Sequence, residues 1–133
     1  MNPFLMYTTE ILILIFLIIT FLQSAIDKVI DWSGNLGWLT GHFEATPLAK
    51  MVPVLLMTVL LTEMAAGIFC AVGIYQIVVE GEKTMAFYGA VLSCIALLML
   101  LFGQRLAKDY EGAKTIAVYF IPAIFLVYLL QAV

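Results

Sequence analysis

Charged residues are scarce in this chain. Asp, Glu, Lys and Arg make up 11% of its 133 residues, and hydrophobic residues make up 65%. A soluble domain typically carries about 25% charged and roughly 45–50% apolar residues. Together with a mean hydropathy of +1.13, this composition excludes an ordinary soluble domain and predicts an integral membrane protein. The length fits one domain, which we assign to residues 1–133.

Basic residues and metal-ligating residues are also few. The basic residues are scattered along the chain, so nucleic-acid binding is not predicted. His42 is the only histidine, and a lone histidine cannot supply a haem ligand pair or a metal site. Cys70 and Cys94 lie in apolar segments without metal-type spacing, and we interpret them as small packing residues. The sequence therefore predicts no metal site, and it offers no recognisable catalytic residue.

Four apolar segments are long enough to cross a membrane, which takes about 20 residues each. The first has no basic residues before it and Glu10 precedes most of it, so we expect it to be retained and not cleaved as a signal peptide. The predicted helices cover about 4–32, 47–79, 85–106 and 114–132. Because backbone groups find no water in lipid, each span should be helical. The predicted fold class is all-α, a polytopic four-transmembrane-helix bundle.

The first loop is long and patterned, unlike the other two. Ser33-Gly34 should end the first helix. Beyond it, Leu36, Leu39 and Phe43 recur at helical spacing, which predicts a short interfacial helix over about 35–44.

Proline and threonine residues mark the predicted helix boundaries and bends. Thr46 as N-cap and Pro47 at the first helical position predict the start of the second helix. Pro53 and Pro122 should bend the helices that contain them.

Positive charge is unevenly distributed between the two sides. Loops one and three carry every basic residue except Lys83. This bias predicts that both loops are cytoplasmic and that both termini lie outside.

Polar and small residues share single faces of the predicted helices. The end of the first helix carries a polar stripe of Thr20, Gln23, Ser24, Asp27 and Asp31. The second helix carries Glu63, Ala66, Gly67, Cys70 and Ala71, and the third carries Gly89, Ser93, Ala96 and Leu100 with Cys94 beside them. Since small residues let helices approach closely in lipid, these faces should point into the bundle.

Glu63 is the carboxylate inside the second span. Counted from Pro53 at about 1.5 Å per residue, it lies about 15 Å deep, near the middle of a roughly 30 Å core. We expect a neutral carboxyl group there, hydrogen-bonded to Ser93, Thr20 or Gln23. Its role is open at this stage: it either fastens helices together or forms a proton, ligand or partner site.

Ser24 and Lys28 are further candidates near Glu63. With Glu63, Ser93, Thr20 and Gln23, we include Ser24 in the possible ligand or proton site. Lys28 and Arg105 are expected to lie too near the surface to pair with Glu63 directly, unless they snorkel inward.

The loops offer His42 and Arg105 as candidates. The carboxylate nearest to His42 in sequence is Glu44. We expect local pairing in a solvated loop among Arg105, Lys108, Asp109 and Glu111.

Two stretches carry a family resemblance. "FLQSAIDKVIDW" (21–32) contains Lys28, and "EMAAGIFCAVG" (63–73) begins with a carboxylate followed by small residues. With four spans and a long first loop, the chain resembles the DoxX-like family of small four-helix bacterial membrane proteins over nearly its whole length. The resemblance implies the bacterial inner (cytoplasmic) membrane and an association with membrane redox systems, such as a thiosulfate–quinone oxidoreductase. Glu63 and Lys28 match the polar pattern of the family.

Three functions remain open. The first is a non-catalytic or accessory subunit of a larger inner-membrane complex, linked to quinone chemistry. The second is a small proton-coupled transporter that uses Glu63. The third is an enzyme acting on a quinone or a small sulfur compound, which we do not expect of the isolated chain. The expected partners are membrane lipid and other membrane subunits or a second copy, and a quinone is the single cofactor considered.

Overall fold

Four long helices form the body of the protein, and all four are long and apolar enough to cross a membrane. The structure is a computed structural model that describes residues 2–131. The helices are α1 (Pro3–Met6), α2 (Thr8–Ile30), α3 (Trp32–His42), α4 (Val52–Glu80), α5 (Thr84–Leu106) and α6 (Tyr110–Gln131), and a 3₁₀ turn covers Ala49–Met51. The spans are α2, α4, α5 and α6, and the described range contains no strand. The predicted all-α membrane bundle is therefore confirmed.

The spans pack in an uneven ring. Helix α4 packs extensively on α5 and on α2, and α5 packs extensively on α6, whereas the contact between α2 and α6 is much smaller. Large side chains fill the centre, with Leu14, Leu17 and Phe21 from α2, Ile77 from α4 and Leu97 from α5 fully buried. The ring is thus weakly closed along one line, which we call the α2–α6 seam.

Small residues set the distance between α4 and α5. A Cβ added at Gly73 would lie 2.5 Å from Ala86 Cα, and one added at Gly89 would lie 2.8 Å from the backbone nitrogen of Cys70. We call this contact the α4–α5 seam. The small faces predicted for both helices are buried, except that Ala71 is exposed and Leu100 is half-buried. Gly67 packs against Leu22 of α2 and not on α5.

The first loop departs from the prediction at its start. The chain breaks at Asp31, and Ser33-Gly34 begin α3 instead of ending the previous helix. The reason is that the Asp31 side chain accepts a hydrogen bond from the Gly34 N–H at 3.3 Å and so caps the new helix. The predicted interfacial helix over 35–44 is present as α3, beginning and ending slightly earlier, with Trp38 62% exposed.

The second span also begins later than predicted. Thr46 Oγ1 accepts a hydrogen bond from the Leu48 N–H at 3.1 Å, but it caps a turn, and α4 starts at Val52 and not at 47. Pro53 is therefore in the first turn of α4. An N–H is not needed there, so the predicted bend has no cause at this residue.

The remaining helix boundaries are close to prediction. Helix α5 covers Thr84–Leu106, against a predicted 85–106. Helix α6 begins at Tyr110 instead of 114, because Asp109 Oδ1 accepts a hydrogen bond from the Gly112 N–H at 3.0 Å. Pro122 lies inside α6 as predicted. The predicted end of this helix at 132 lies outside the described residues.

Contacts between loops identify the two ends of the bundle. His42 Nε2 lies 3.3 Å from Gln104 Oε1, which brings the first and third loops together. At the opposite end, Lys83 Nζ lies 5.7 Å from the centre of the Tyr7 ring. The bundle is a multi-pass membrane protein with loops one and three at one end, and its orientation in the membrane remains a prediction.

Candidate functional site

A cavity of about 560 Å³ lies at the α2–α6 seam and is open on that side, where its lining residues Phe16, Ile19 and Tyr119 are exposed. The polar stripe of α2 forms one wall of this polar cavity, through Thr20, Gln23, Ser24 and Asp27. Lys28 of α2, Asn35 of α3 and Glu63 of α4 also line it. The residues of the predicted polar stripe therefore all line this cavity, except for Asp31, which caps α3 instead.

An ion pair joins two walls of the polar cavity. Glu63 is 2% exposed, and Lys28 Nζ lies 2.9 Å from its Oε1. Ser24 Oγ accepts a hydrogen bond from the same ammonium group at 2.6 Å. At this separation the ammonium is both the charge partner of Glu63 and within hydrogen-bonding distance of its Oε1. The carboxylate is thus compensated in charge and can still accept further hydrogen bonds.

Lys28 does reach Glu63, by the inward snorkelling that the sequence left open. Helix α4 has 29 residues and is about 43 Å long, which exceeds a hydrocarbon core of roughly 30 Å. Depth counted from its first turn is therefore overstated. The flexible stem of Lys28 covers the remaining distance. Glu63 accordingly has a charged partner, in place of the neutral hydrogen-bonded carboxyl group that we expected.

The partners predicted for Glu63 make other hydrogen bonds. Ser93 Oγ donates to the Gly89 carbonyl at 2.8 Å and is buried in the α4–α5 seam, 4.0 Å from Cys70 Sγ. Thr20 Oγ1 donates to the Phe16 carbonyl of its own helix at 2.8 Å. Gln23 lines the polar cavity but is exposed. Of the predicted set, the structure therefore brings Thr20, Gln23 and Ser24 to the same cavity as Glu63, and leaves Ser93 outside it.

The charged groups around the polar cavity do not balance. Asp27 and Glu63 contribute carboxylates, and Lys28 contributes the one ammonium among the lining residues. Asp27 is exposed and Glu63 is buried, and the net negative charge of the lining disfavours small anions. The cavity is consequently better suited to a neutral polar group or to a cation.

A second cavity, of about 350 Å³, lies beneath α3. Its lining is mostly apolar and comes from α3, α4, α5 and the first loop, with Leu39, Phe43, Leu55, Val59 and Met99 among its residues. Sequence analysis missed this apolar cavity. The helical spacing of Leu36, Leu39 and Phe43 indicates an inward face of α3, but nothing in that spacing reveals an unfilled volume behind it.

The two loop candidates lie outside both cavities. His42 stacks on Trp38 with ring centres 4.6 Å apart, and its Nε2 lies 3.6 Å from Asp109 Oδ2. Its carboxylate partner is therefore Asp109 and not Glu44. Arg105 lies 5.1 Å from the centre of the Tyr110 ring. Between residues 2 and 131 it forms no ion pair, so the predicted local pairing of Arg105 is wrong.

Cys70 and Cys94 are free thiols, and both are buried in helix packing. Among residues 2–131, His, Cys, Asp and Glu side chains do not gather in groups of three or more that suit a metal ion. The chemistry available at the site is therefore that of an ammonium group, carboxylates, hydroxyls and amides.

Comparison with family models, with curated proteins and with solved structures gave no match to this chain. The resemblance to the DoxX-like family remains a prediction, and the function is argued from the geometry of the site.

Proposed function

We propose that this chain is an accessory subunit of a larger complex in the bacterial inner membrane, and that it binds the headgroup of a quinone in the polar cavity. The observation that carries the proposal is the Lys28–Glu63 pair, with its 2.9 Å separation, in the wall of a cavity between membrane-spanning helices. Ionisable residues inside a membrane bundle are costly and mark functional sites by default.

The hydrogen-bonding groups of the pair suit both redox forms of a quinone. An ammonium group has three N–H donors. Among the described residues, Ser24 Oγ and Glu63 Oε1 engage the Lys28 ammonium, which leaves a donor for a quinone carbonyl oxygen. The Glu63 carboxylate can accept more hydrogen bonds than the one contact from Lys28 uses, so it is an acceptor for the hydroxyl group of a quinol. The Lys28–Glu63 pair can thus bind both the carbonyl oxygen of a quinone and the hydroxyl group of a quinol.

The charge of the cavity supports a neutral ligand. The carboxylates of Asp27 and Glu63 face the single ammonium of Lys28, so an anion such as a sulfur oxyanion would meet net repulsion. A quinone headgroup carries no charge and avoids this cost. Ligand pockets typically occupy about 300–1,000 Å³, and the polar cavity, at about 560 Å³, is within that range.

A partner subunit would exchange electrons with the bound quinone. Most of the described chain is membrane-spanning helix, and its one long connection consists largely of α3. We therefore assign it the binding role and assign the redox centre to another subunit. Affinity purification in mild detergent should recover a redox protein together with this chain. Recovery of the chain alone, from cells that express its genomic neighbours, would contradict the accessory role.

Binding is tested with a double variant in lipid nanodiscs. Lys28→Met/Glu63→Gln removes both charges without leaving one unpaired, so the fold should survive. We expect at least about tenfold weaker binding of a tailless benzoquinone, measured by equilibrium dialysis, because a hydrogen bond to a charged group contributes about 1.5–3 kcal/mol. The control is Lys50→Met/Glu82→Gln, which makes the same changes at two exposed residues and should bind as the wild type does.

Two outcomes contradict the proposal. One is an unchanged dissociation constant in a folded Lys28→Met/Glu63→Gln variant. The other is the absence of saturable quinone binding by the wild-type protein.

A second candidate function, proton-coupled transport of a cation, is favoured by the excess of carboxylates in the polar cavity. A cation and a proton would compete for Glu63. In proteoliposomes, a pH gradient should drive cation efflux by the wild type, and folded Glu63→Gln should lose the coupling. Equal efflux by wild-type and empty liposomes would reject transport of the tested cation while leaving the quinone proposal standing.

A further inference from the structure

We infer that the polar and apolar cavities form one continuous site, in which the hydrocarbon tail of the quinone lies beneath α3. This inference rests on the proposed function, because it assigns the second half of the same ligand. It adds a binding region for the tail and a reason for the position of α3.

The two cavities meet at Lys28. Lys28, Asn35 and Leu100 line both of them. A headgroup that accepts a hydrogen bond from the Lys28 ammonium therefore lies at the boundary, with the apolar cavity directly beside it. Asn35 is held at this boundary because its side-chain amide donates to the Asp31 carbonyl at 2.8 Å.

The lining beyond this boundary suits a hydrocarbon chain. Leu39 and Phe43 of the α3 segment face Leu55 and Val59 of α4 and Met99 of α5 across about 350 Å³. An apolar chain of this size gains free energy for each methylene group removed from water. A headgroup alone would leave this volume unused.

The other route out of the polar cavity leads across the α2–α6 seam. There the rings of Phe16 and Tyr119, which both line the cavity, lie 6.1 Å apart and are each 37% exposed. A tail that left by this route would lie on exposed side chains, whereas beneath α3 it would lie between α3 and the spans.

Helix α3 is fastened at both ends, so the apolar cavity is formed before a ligand binds. Asp31 caps its first turn. At its other end, His42 contacts Gln104 and Asp109, and Gln104 itself lines the apolar cavity. A tail therefore enters a cavity whose cover is already in place, which reduces the entropy lost on binding.

Competition binding with and without a tail tests the inference. The purified full chain in detergent is titrated with a tailless benzoquinone and with the same headgroup carrying a decyl chain. Val59→Trp fills the apolar cavity, and Val72→Trp makes the same change on α4 at an exposed residue that lines neither cavity. Partition of the decyl compound into micelles is the same for all variants, so it cancels when variants are compared.

We expect Val59→Trp to weaken binding of the decyl compound at least about tenfold, since more than one buried methylene group is displaced. Binding of the tailless compound should be unchanged, and Val72→Trp should bind both compounds as the wild type does. A cross-linker at the end of the decyl chain should label peptides from α3 or from the first turns of α4.

Three results would overturn the inference. If Val59→Trp folds and binds both compounds like the wild type, the tail does not lie beneath α3. If Ile19→Trp, at the α2–α6 seam, selectively weakens the decyl compound instead, the tail crosses the seam. If neither compound binds the wild type, the proposed function fails as well, so the two failures are distinguishable.

Discussion

The α4–α5 seam and the α2–α6 seam are opposite solutions to helix packing in one small bundle. At the α4–α5 seam, Gly73 and Gly89 bring the backbones so close that a single added carbon would meet Ala86 or Cys70. At the α2–α6 seam the helices make little contact, and the partly exposed rings of Phe16 and Tyr119 lie at the rim of a cavity of about 560 Å³.

The difference indicates that the α4–α5 seam contributes stability and that the α2–α6 seam provides space for binding. Helix association in lipid depends on close packing, because lipid tails are as apolar as the side chains. The α4–α5 seam therefore provides the rigid half of the bundle. The α2–α6 seam provides room for polar side chains that a close-packed interface would exclude. Glu63 belongs to both halves, since it lies on the small face of α4 and turns into the polar cavity.

The largest loss of stability should come from breaking the Lys28–Glu63 ion pair in the polar cavity at the α2–α6 seam. Lys28→Met leaves Glu63 buried without its charge partner. We expect a loss of about 3 kcal/mol in the free energy of unfolding, measured by denaturant titration in mixed micelles.

The matched variant is Lys28→Met/Glu63→Leu, which removes the uncompensated charge. Most of the lost stability should return, since an apolar replacement of a buried pair is often neutral. If the double variant is as unstable as Lys28→Met, the loss does not come from the uncompensated charge of Glu63.

The second effect tests the α4–α5 seam. Gly73→Ala places a Cβ 2.5 Å from Ala86 Cα, and backbone atoms cannot rotate away. We expect α4 and α5 to separate locally, with a loss of about 1–3 kcal/mol by the same titration.

Gly37→Ala is the control, because a Cβ at this position of α3 meets no atom within 4 Å. It should be neutral or stabilising, since alanine favours a helix by about 1 kcal/mol over glycine. Equal destabilisation by both variants would show that the short α4–α5 distance is not the reason why alanine at position 73 is destabilising.

The smallest effect on stability should come from a substitution at the α2–α6 seam. Phe16→Ala removes one ring of the aromatic pair, whose interaction is worth about 0.5–1.5 kcal/mol. We expect a loss near 1 kcal/mol, together with severalfold faster maleimide labelling of a Thr20→Cys reporter in the polar cavity. Cys70 and Cys94, buried in helix packing, should stay unlabelled.

Phe125→Ala provides the comparison, since Phe125 is an exposed aromatic residue of α6 that lines neither cavity. It should leave the labelling rate of Thr20→Cys unchanged. A rate that also stays constant in Phe16→Ala would mean that the Phe16–Tyr119 pair does not limit access to the polar cavity.

Much of the fold follows from local patterns in the sequence. Long apolar segments define the four spans, and helical periodicity identifies the small faces of α4 and α5 and the polar stripe of α2. The break at Asp31 is less predictable, because Asp31 as a helix cap competes with Ser33-Gly34 as a helix end. The capping hydrogen bond to Gly34, at 3.3 Å, decides between them.

The candidate site is only partly accessible from sequence. Thr20, Gln23, Ser24 and Glu63 are identifiable as inward-facing polar residues, because each lies at a regular step on its own helix. The pairing of Lys28 with Glu63 is not, since it depends on how far α4 is displaced along its axis relative to α2. Ser93 is a predicted partner of Glu63, yet it faces Cys70 across the α4–α5 seam.

The sequence by itself determined that this chain crosses a membrane as four helices, and which side of each helix is small or polar. These properties depend on composition and on the period of the α-helix, which are local. Only the tertiary structure decided that Lys28 reaches Glu63, that Asp109 and not Glu44 contacts His42, and that an apolar cavity lies beneath α3. Those features depend on the relative axial positions of helices and on volumes left between them, and such quantities arise only when the helices pack together.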